Sequence, residues 1–372
     1  MFSIGKVFLM IVFLVNATAY EPVKKADDVA EETVRRFLQS LFDERTQFFV
    51  DKKQEEISKY YRIQEKLSKS AFQHEINKTE YLHEWAKKRK MQFVDASSTI
   101  RIVRLHISKD TAKVSLIQQL KLDYVYLNNK NLPPQSFGIG TRHAVVLKKR
   151  NDTWSLSREW YLDPLDENPA LIADLPNEIT PAVNQNTITV KKTSKYNRQR
   201  AVAYANKYAG LAWGAGNNNR YNRNYLDYTG IGGDCTNFAS QVVGDPVEGG
   251  GLKMSYNWRY IKSVGGSRAW VQTDAFKNHL LRSGHASLIA HGSFPEIVKS
   301  TKKNRSGAIS QLKPGDLIAY EMKGDIDHFS VVTGFDLNGY PLVNSHTADR
   351  YQVPFDLGWD KYTKYLLIHI ND

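Results

Sequence analysis

Residues 232–241 read GGDCTNFASQ, and the reading of the C-terminal half turns on this stretch. Asp234 is a side chain of N-cap type, which puts Cys235 in the first turn of a helix whose Phe238, Ala239 and Val242 face inward. Upstream, residues 196–209 (YNRQRAVAYANKYA) repeat Ala201, Tyr204, Ala205 and Tyr208 at intervals of three and four, a second helix. The polar loop 214–221 (GAGNNNRY) joins the two. Downstream, Gly249–Gly251 and the region 258–270 read as loops and turns. Lys313-Pro314-Gly315-Asp316 is a turn into a strand over 317–321, and 328–333 is a second strand. Asn338-Gly339 predicts a hairpin, 341–346 returns antiparallel, and 365–370 closes the series.

The N-terminal half follows the same logic. Val29, Val34, Phe37, Leu38 and Leu41 share one helical face, and 51–90 reads as helix with a charged outer face and an aromatic inner stripe. The period then changes to two over 100–107, 112–126, 143–149 and 154–161, with Asn151-Asp152 as a turn. Helices followed by antiparallel strands predict an α+β class. This order resembles the NTF2-like cone, and an accessory or binding role is expected for residues 20–165. Pro164, Pro169, Pro176 and Pro181 break regular structure and predict a linker over 166–192, leaving 193–372 as the second domain.

Export is expected from the first residues. Met1–Lys6 is positively charged, 7–15 (VFLMIVFLV) is an unbroken apolar run, and Ala17-Thr18-Ala19 suits a signal peptidase. The signal peptide is placed at 1–19, and no other stretch is long enough to span a membrane. Of the 372 residues, one is a cysteine, so no internal disulfide forms and a secreted thiol must be buried or used. A formal net charge of +12 suits an anionic surface such as a cell wall. No zinc-finger, RRM-like or basic-helix pattern is present, so nucleic acid is not expected as a partner.

A helix start favours thiolate through its unpaired N–H groups and dipole, while the neighbouring Asp234 opposes it, so a histidine partner is needed. Of ten histidines, His74, His83, His106 and His143 lie in the first half and His369 in the last strand. His279, His285 and His291 recur every six residues, which is not one helical face, and no metal site is expected. His328 opens a strand after Gly324-Asp325-Ile326-Asp327, where a side chain can enter a groove. Asn344 and His346 share one strand face, and either could orient the ring.

The strings YNRQRAVAYANKYA, GGDCTNFASQ, PGDLIAY, DHFSVVTG and NSHTAD, in this order over about 196–349, resemble the bacterial putative amidase domain family. That family is similar to the NlpC/P60 and CHAP branches of the papain-like superfamily. The resemblance implies a catalytic helix against an antiparallel sheet, Cys235 as nucleophile, His328 as base, and Asn344 or His346 as the third group. It implies a cysteine amidase or peptidase with no cofactor, and export and charge add peptidoglycan peptides as the expected substrate. A surface-binding module with a structural thiol is the competing expectation, and acyl transfer to an amine is a third.

Overall fold

The computed structural model describes residues 26–165, 168–176, 195–302 and 304–372. The apolar run 7–15, the tripeptide 17–19 and most of the expected linker lie outside the described residues. Helices α1 (Ala26–Asp51), α2 (Gln54–Ser58) and α3 (Lys66–Lys88) come first. The stretch 51–90, expected as one helix, is interrupted between Lys52 and Glu65. Lys52 takes a φ of 58° there, and the break lets Ile57 and Tyr61 turn into the core. The Leu156 N–H then donates to the Tyr60 carbonyl, tying the loop to the sheet.

Strands β1 (Met91–Ser108), β2 (Thr111–Tyr126), β3 (Gln135–Arg150) and β4 (Thr153–Tyr161) form an antiparallel meander. Asn151 and Asp152 both take positive φ (47° and 59°), as a two-residue hairpin matched to strand twist requires. The second half contributes α4 (Arg198–Lys207), α5 (Cys235–Gly244), the short pair β5 (Tyr260–Ile261) and β6 (Gly265–Gly266), α6 (Arg268–Val271) and α7 (Thr273–Arg282). It continues with β7 (Ala286–Ser293), α8 (Phe294–Val298), β8 (Leu317–Met322), β9 (Asp325–Phe335), β10 (Pro341–Ser345), β11 (Asp349–Pro354) and β12 (Lys364–Ile370). The chain is thus mixed helix and antiparallel sheet, of the α+β class.

One ten-stranded sheet runs through both halves in the order β1-β2-β3-β11-β10-β9-β8-β12-β7, with β4 also on β3. Strand β3 shares one edge between two partners. Its residues 143–150 pair with β4, and Gly138–Gly140 pair with β11 of the other half. Glycine is required at 138 and 140 because the loop 211–213 crosses there. A Cβ at 138 would lie 2.0 Å from the Trp213 carbonyl oxygen, and one at 140 would lie 2.4 Å from the Leu211 carbonyl carbon. The halves also share a core in which Trp85, Phe93 and Phe137 meet Val353 and Leu357. Asp356 accepts from the Trp85 indole (3.0 Å), the Arg89 guanidinium (2.5 Å) and the Tyr340 hydroxyl (2.6 Å), so this buried carboxylate is fully used.

The two faces of the sheet carry different cores. On one, Ala319, Phe329, Val331 and Ile368 pack under α4, α5 and α7, with Phe238, Trp258 and Trp270. On the other, Ile318, Tyr320, Val332, Val343 and Leu367 pack under α8, with Phe294 and Phe355. Strand alternation makes this division, and it decides where each polar side chain of β9 and β10 points.

Candidate active site

Gly232 and Gly233 take φ of 96° and 112°, bringing the chain into the head of α5 by a path that L side chains rarely follow. Asp234 does not cap the helix with its side chain, as its position suggests. Its Oδ1 instead accepts from the Tyr228 N–H (2.9 Å) and Asn237 Nδ2 (2.8 Å), and its Oδ2 takes His346 Nδ1 at 2.5 Å.

Cys235 follows, a free thiol buried at the floor of a cavity of about 530 Å³. Thr236, Gly232, Arg268, Asp274 and Asp327 line the rest of that cavity. Burial pushes the thiol above its usual range, with the Asp234 charge adding to the effect. The Phe329 backbone N–H and the Thr236 hydroxyl, 3.8 Å from Sγ, oppose this without reversing it. The helix head alone therefore does not bring the thiol to thiolate: the loss of solvation on burial is the largest influence on it.

His328 lies on β9 one residue before Phe329, but on the other face. Phe329 belongs to the core under α5, whereas the His328 ring sits 5.8 Å from the Tyr320 ring and 5.5 Å from the Trp359 ring. An extra residue at Asp327 shifts the register between the Tyr320 and Glu321 pairings, so the alternation does not carry straight through the turn. Burial, then the positive charges of Arg350 and His346, push the His328 pKa down to about 3, so the ring is neutral. Its Nε2 is buried without a hydrogen-bond partner. No hydrogen bond joins His328 to Cys235 in this structure.

Asn344 and His346 share the α4–α5 face. Asn344 Nδ2 donates to the Ala205 carbonyl (3.0 Å) and Asn206 Oδ1 (2.9 Å), while its Oδ1 accepts from the Thr333 hydroxyl and the Gln352 N–H. His346 donates from Nδ1 to Asp234 and from Nε2 to the Tyr208 carbonyl at 2.6 Å. Two acceptors on one ring assign an imidazolium. Burial alone would lower its pKa, but the Asp234 carboxylate outweighs that and holds it above the usual range. The ring is stacked between Tyr221 and Phe238, each 3.9 Å away. Neither Asn344 nor His346 hydrogen-bonds to His328; Asn344 ties β10 to α4, and His346 ties the head of α5 to the end of α4.

Sequence reasoning missed the turn that completes this clasp. Thr347 and Ala348 both take positive φ (56° and 75°), and the Thr347 hydroxyl accepts from the Asp234 N–H. Non-glycine residues in that region cost of order 1–3 kcal/mol each, and here the strain buys the position of the helix head. Arg350, Ser330 and Trp359 near His328 were also missed. Among the described residues no group of three His, Cys, Asp or Glu side chains could hold a metal.

Two curated proteins of Bacillus subtilis (strain 168) are similar to this chain. The uncharacterized protein YhbB is 30% identical over 48% of this chain and 51% of its own length. The uncharacterized protein YjcM is 28% identical over 46% of this chain and 36% of its own length. The chain thus spans about half of the first relative and about a third of the second. Among solved structures, the intermembrane space region of chloroplast protein ARC6 aligns with 38% of this chain and 98% of its own at 13% identity, with a TM-score of 0.25. Residues 195–368, from the start of the second half to its last strand, match the family model described as "Putative amidase domain", so the C-terminal half is similar to amidase-type hydrolases.

Proposed function

We propose that the chain is a secreted, thiol-dependent amidase or peptidase in which Cys235 is the nucleophile and His328 the base. The observation that carries this reading is the position of the sulfur. It lies at the head of α5, opens onto the 530 Å³ cavity, and touches the backbone of the residue that follows His328. The imidazole is neutral, so one of its ring nitrogens is free to accept a proton. His328 lies on the face of β9 away from the sulfur, so closing the dyad requires the bulged backbone at Asp327 to re-register and carry the ring across. Cys235 then attacks the amide carbonyl, and His328 takes the thiol proton and returns it to the departing amine. Water hydrolyses the thioester, restoring the thiol. The Cys235 backbone N–H is the first donor to the oxyanion.

The papain-like description of the C-terminal half rests on this helix-and-sheet arrangement together with the family match. Secretion and a peptidoglycan substrate are supported by the apolar run 7–15 and by the net charge of +12. A second reading, a surface-binding module with a structural thiol, is favoured by the raised thiol pKa and the absence of a Cys235–His328 hydrogen bond. Incubation with defined muropeptides, read by mass, tests the first reading. Cleavage that disappears in Cys235→Ser supports it, and intact muropeptides together with alkylation slower than free cysteine favour the second.

A further inference from the structure

Behind His328, on the face away from α5, several polar groups converge, some without partners. Arg350 of β11 is fully buried, and its Nη2 donates to the Pro164 carbonyl. Its Nε and Nη1 have no hydrogen-bond partner, nor does His328 Nε2, while Ser330 Oγ and Trp359 Nε1 face the Tyr320 hydroxyl without forming a well-aligned bond to it. These are neighbours rather than scattered exceptions. The guanidinium lies 5.3 Å from the Trp359 ring centroid, Trp359 stacks on Tyr320 at 4.0 Å, and His328 pairs with Tyr320 across β8 and β9. Arg350 pairs with Ser345, whose face is that of Val343, so the guanidinium and His328 project to the same side of the sheet. No carboxylate forms an ion pair with Arg350 among the described residues. Asp163, the acid that acts on it from a distance, is engaged by His74 and Lys78.

A buried, unpaired guanidinium is costly, and unmade hydrogen bonds add to that cost. Every one of these groups is, or can be, a donor: the arginine N–H groups, the indole N–H, the serine hydroxyl, and His328 Nε2 in its Nε2–H tautomer. A cation would find no acceptor carboxylate, and water would leave the charge unbalanced. We infer that Arg350, Ser330, Trp359 and the rear nitrogen of His328 form a binding site for a small monovalent anion of halide or carboxylate type. Trp359, whose ring lies against the guanidinium, is itself partly exposed. Accepting from Nε2–H, the anion fixes the tautomer that leaves Nδ1 free as a base, the task a carboxylate or amide side chain performs in other triads. The positioning role rests on the reading of His328 as base; the binding itself does not.

The two can be tested apart. Binding is read on Cys235→Ala, which has no thiol chemistry, by thermal midpoint at fixed ionic strength as gluconate is replaced by chloride, bromide or formate. A saturable rise of a few degrees is expected, together with a saturable change in tryptophan fluorescence that Trp359→Phe reduces. Arg350→Met should abolish the rise. Since that variant removes a buried charge, Ser330→Ala serves as a milder second probe and should weaken the half-saturation several-fold. Equal midpoints in all salts, or a rise that persists in Arg350→Met, overturn the site. A response to chloride and bromide but not formate assigns free halide; a response to formate alone assigns a carboxylate, including one carried by substrate. The positioning role is read on the wild-type chain by iodoacetamide labelling across pH. The anion should shift the pH profile in the wild type but not in Arg350→Met. An unmoved profile beside intact binding leaves the site standing and refutes the role.

Discussion

Beneath β4, the N-terminal half buries charge and pairs all of it. Arg45 meets Glu159 at 2.5 Å and Glu75 at 3.9 Å; Lys78 meets Glu75 at 3.2 Å and Asp163 at 3.5 Å. His143 reaches Glu159 at 2.8 Å, His74 reaches Asp163 at 2.7 Å, and the Tyr161 hydroxyl donates to Glu75 at 2.7 Å. Beneath β9 and β11, the C-terminal half buries Arg350 with no ion-pair partner and His328 with an empty Nε2. The same pair of residue types is closed into architecture in one region and held open in the other. A buried charge whose partners are complete carries little functional information, whereas one left incomplete marks where a ligand or a moving proton belongs.

The comparison can be broken in several ways. The largest effect should come from Cys235→Ala, which removes alkylation and all amide cleavage while leaving the denaturation midpoint near that of the wild type. Residual cleavage would place the chemistry elsewhere. Arg45→Met should destabilise by about 3–5 kcal/mol, because it strands buried carboxylates. Arg350→Met in halide-free buffer should change stability by less than about 1 kcal/mol, since no buried carboxylate is left behind. Urea titrations of the two variants side by side measure this contrast, and equal losses would show that both arginines are architectural. His328→Ala should lower turnover by about a hundredfold, whereas His143→Ala should act on stability and leave kcat in place.

The smallest effect is a pair of opposite pH slopes. The His328 pKa, about 3 in the folded chain, is about 6.5 when unfolded. The folded state therefore binds fewer protons, and stability falls as pH drops from about 6.5 toward 3, by at most about 1.4 kcal/mol per unit. His346 is shifted upward, so its contribution is complete below about 6.5 and is lost as pH rises through its folded value. Urea unfolding across pH should show His328→Gln flattening the acid limb and His346→Gln flattening the limb above neutrality. The reverse pattern would exchange the protonation states assigned to these rings.

Much of the framework was legible in the sequence because it rests on local signals. Alternation found β2, β4 and β12, the Asn151-Asp152 and Asn338-Gly339 turns were where turn chemistry put them, and Cys235 does open a helix. What escaped was non-local. The start of β3 carries Gly138 and Gly140, and β11 ends on Pro354, so neither has strong strand propensity; they pair because the fold brings them together. Alternation put Asn344 and His346 on one face, but the extra residue at Asp327 left the face of His328 unreadable. The Asp234–His346 bond joins residues 112 apart, and nothing near Asp234 in the chain distinguishes it from an ordinary cap.

The divided edge of β3 governs how this molecule can be taken apart. A protease cut between 165 and 195 need not separate the pieces, since the ladder to β11 and the Asp356 contacts would still hold them. Pulling them apart would strip hydrogen-bonding partners from Gly138–Gly140 and from Asp349–Tyr351 at once. Each fragment would then present a raw strand margin able to recruit another copy of itself. The isolated C-terminal fragment should therefore self-associate, and adding the N-terminal fragment in trans should return it to solution as a one-to-one complex.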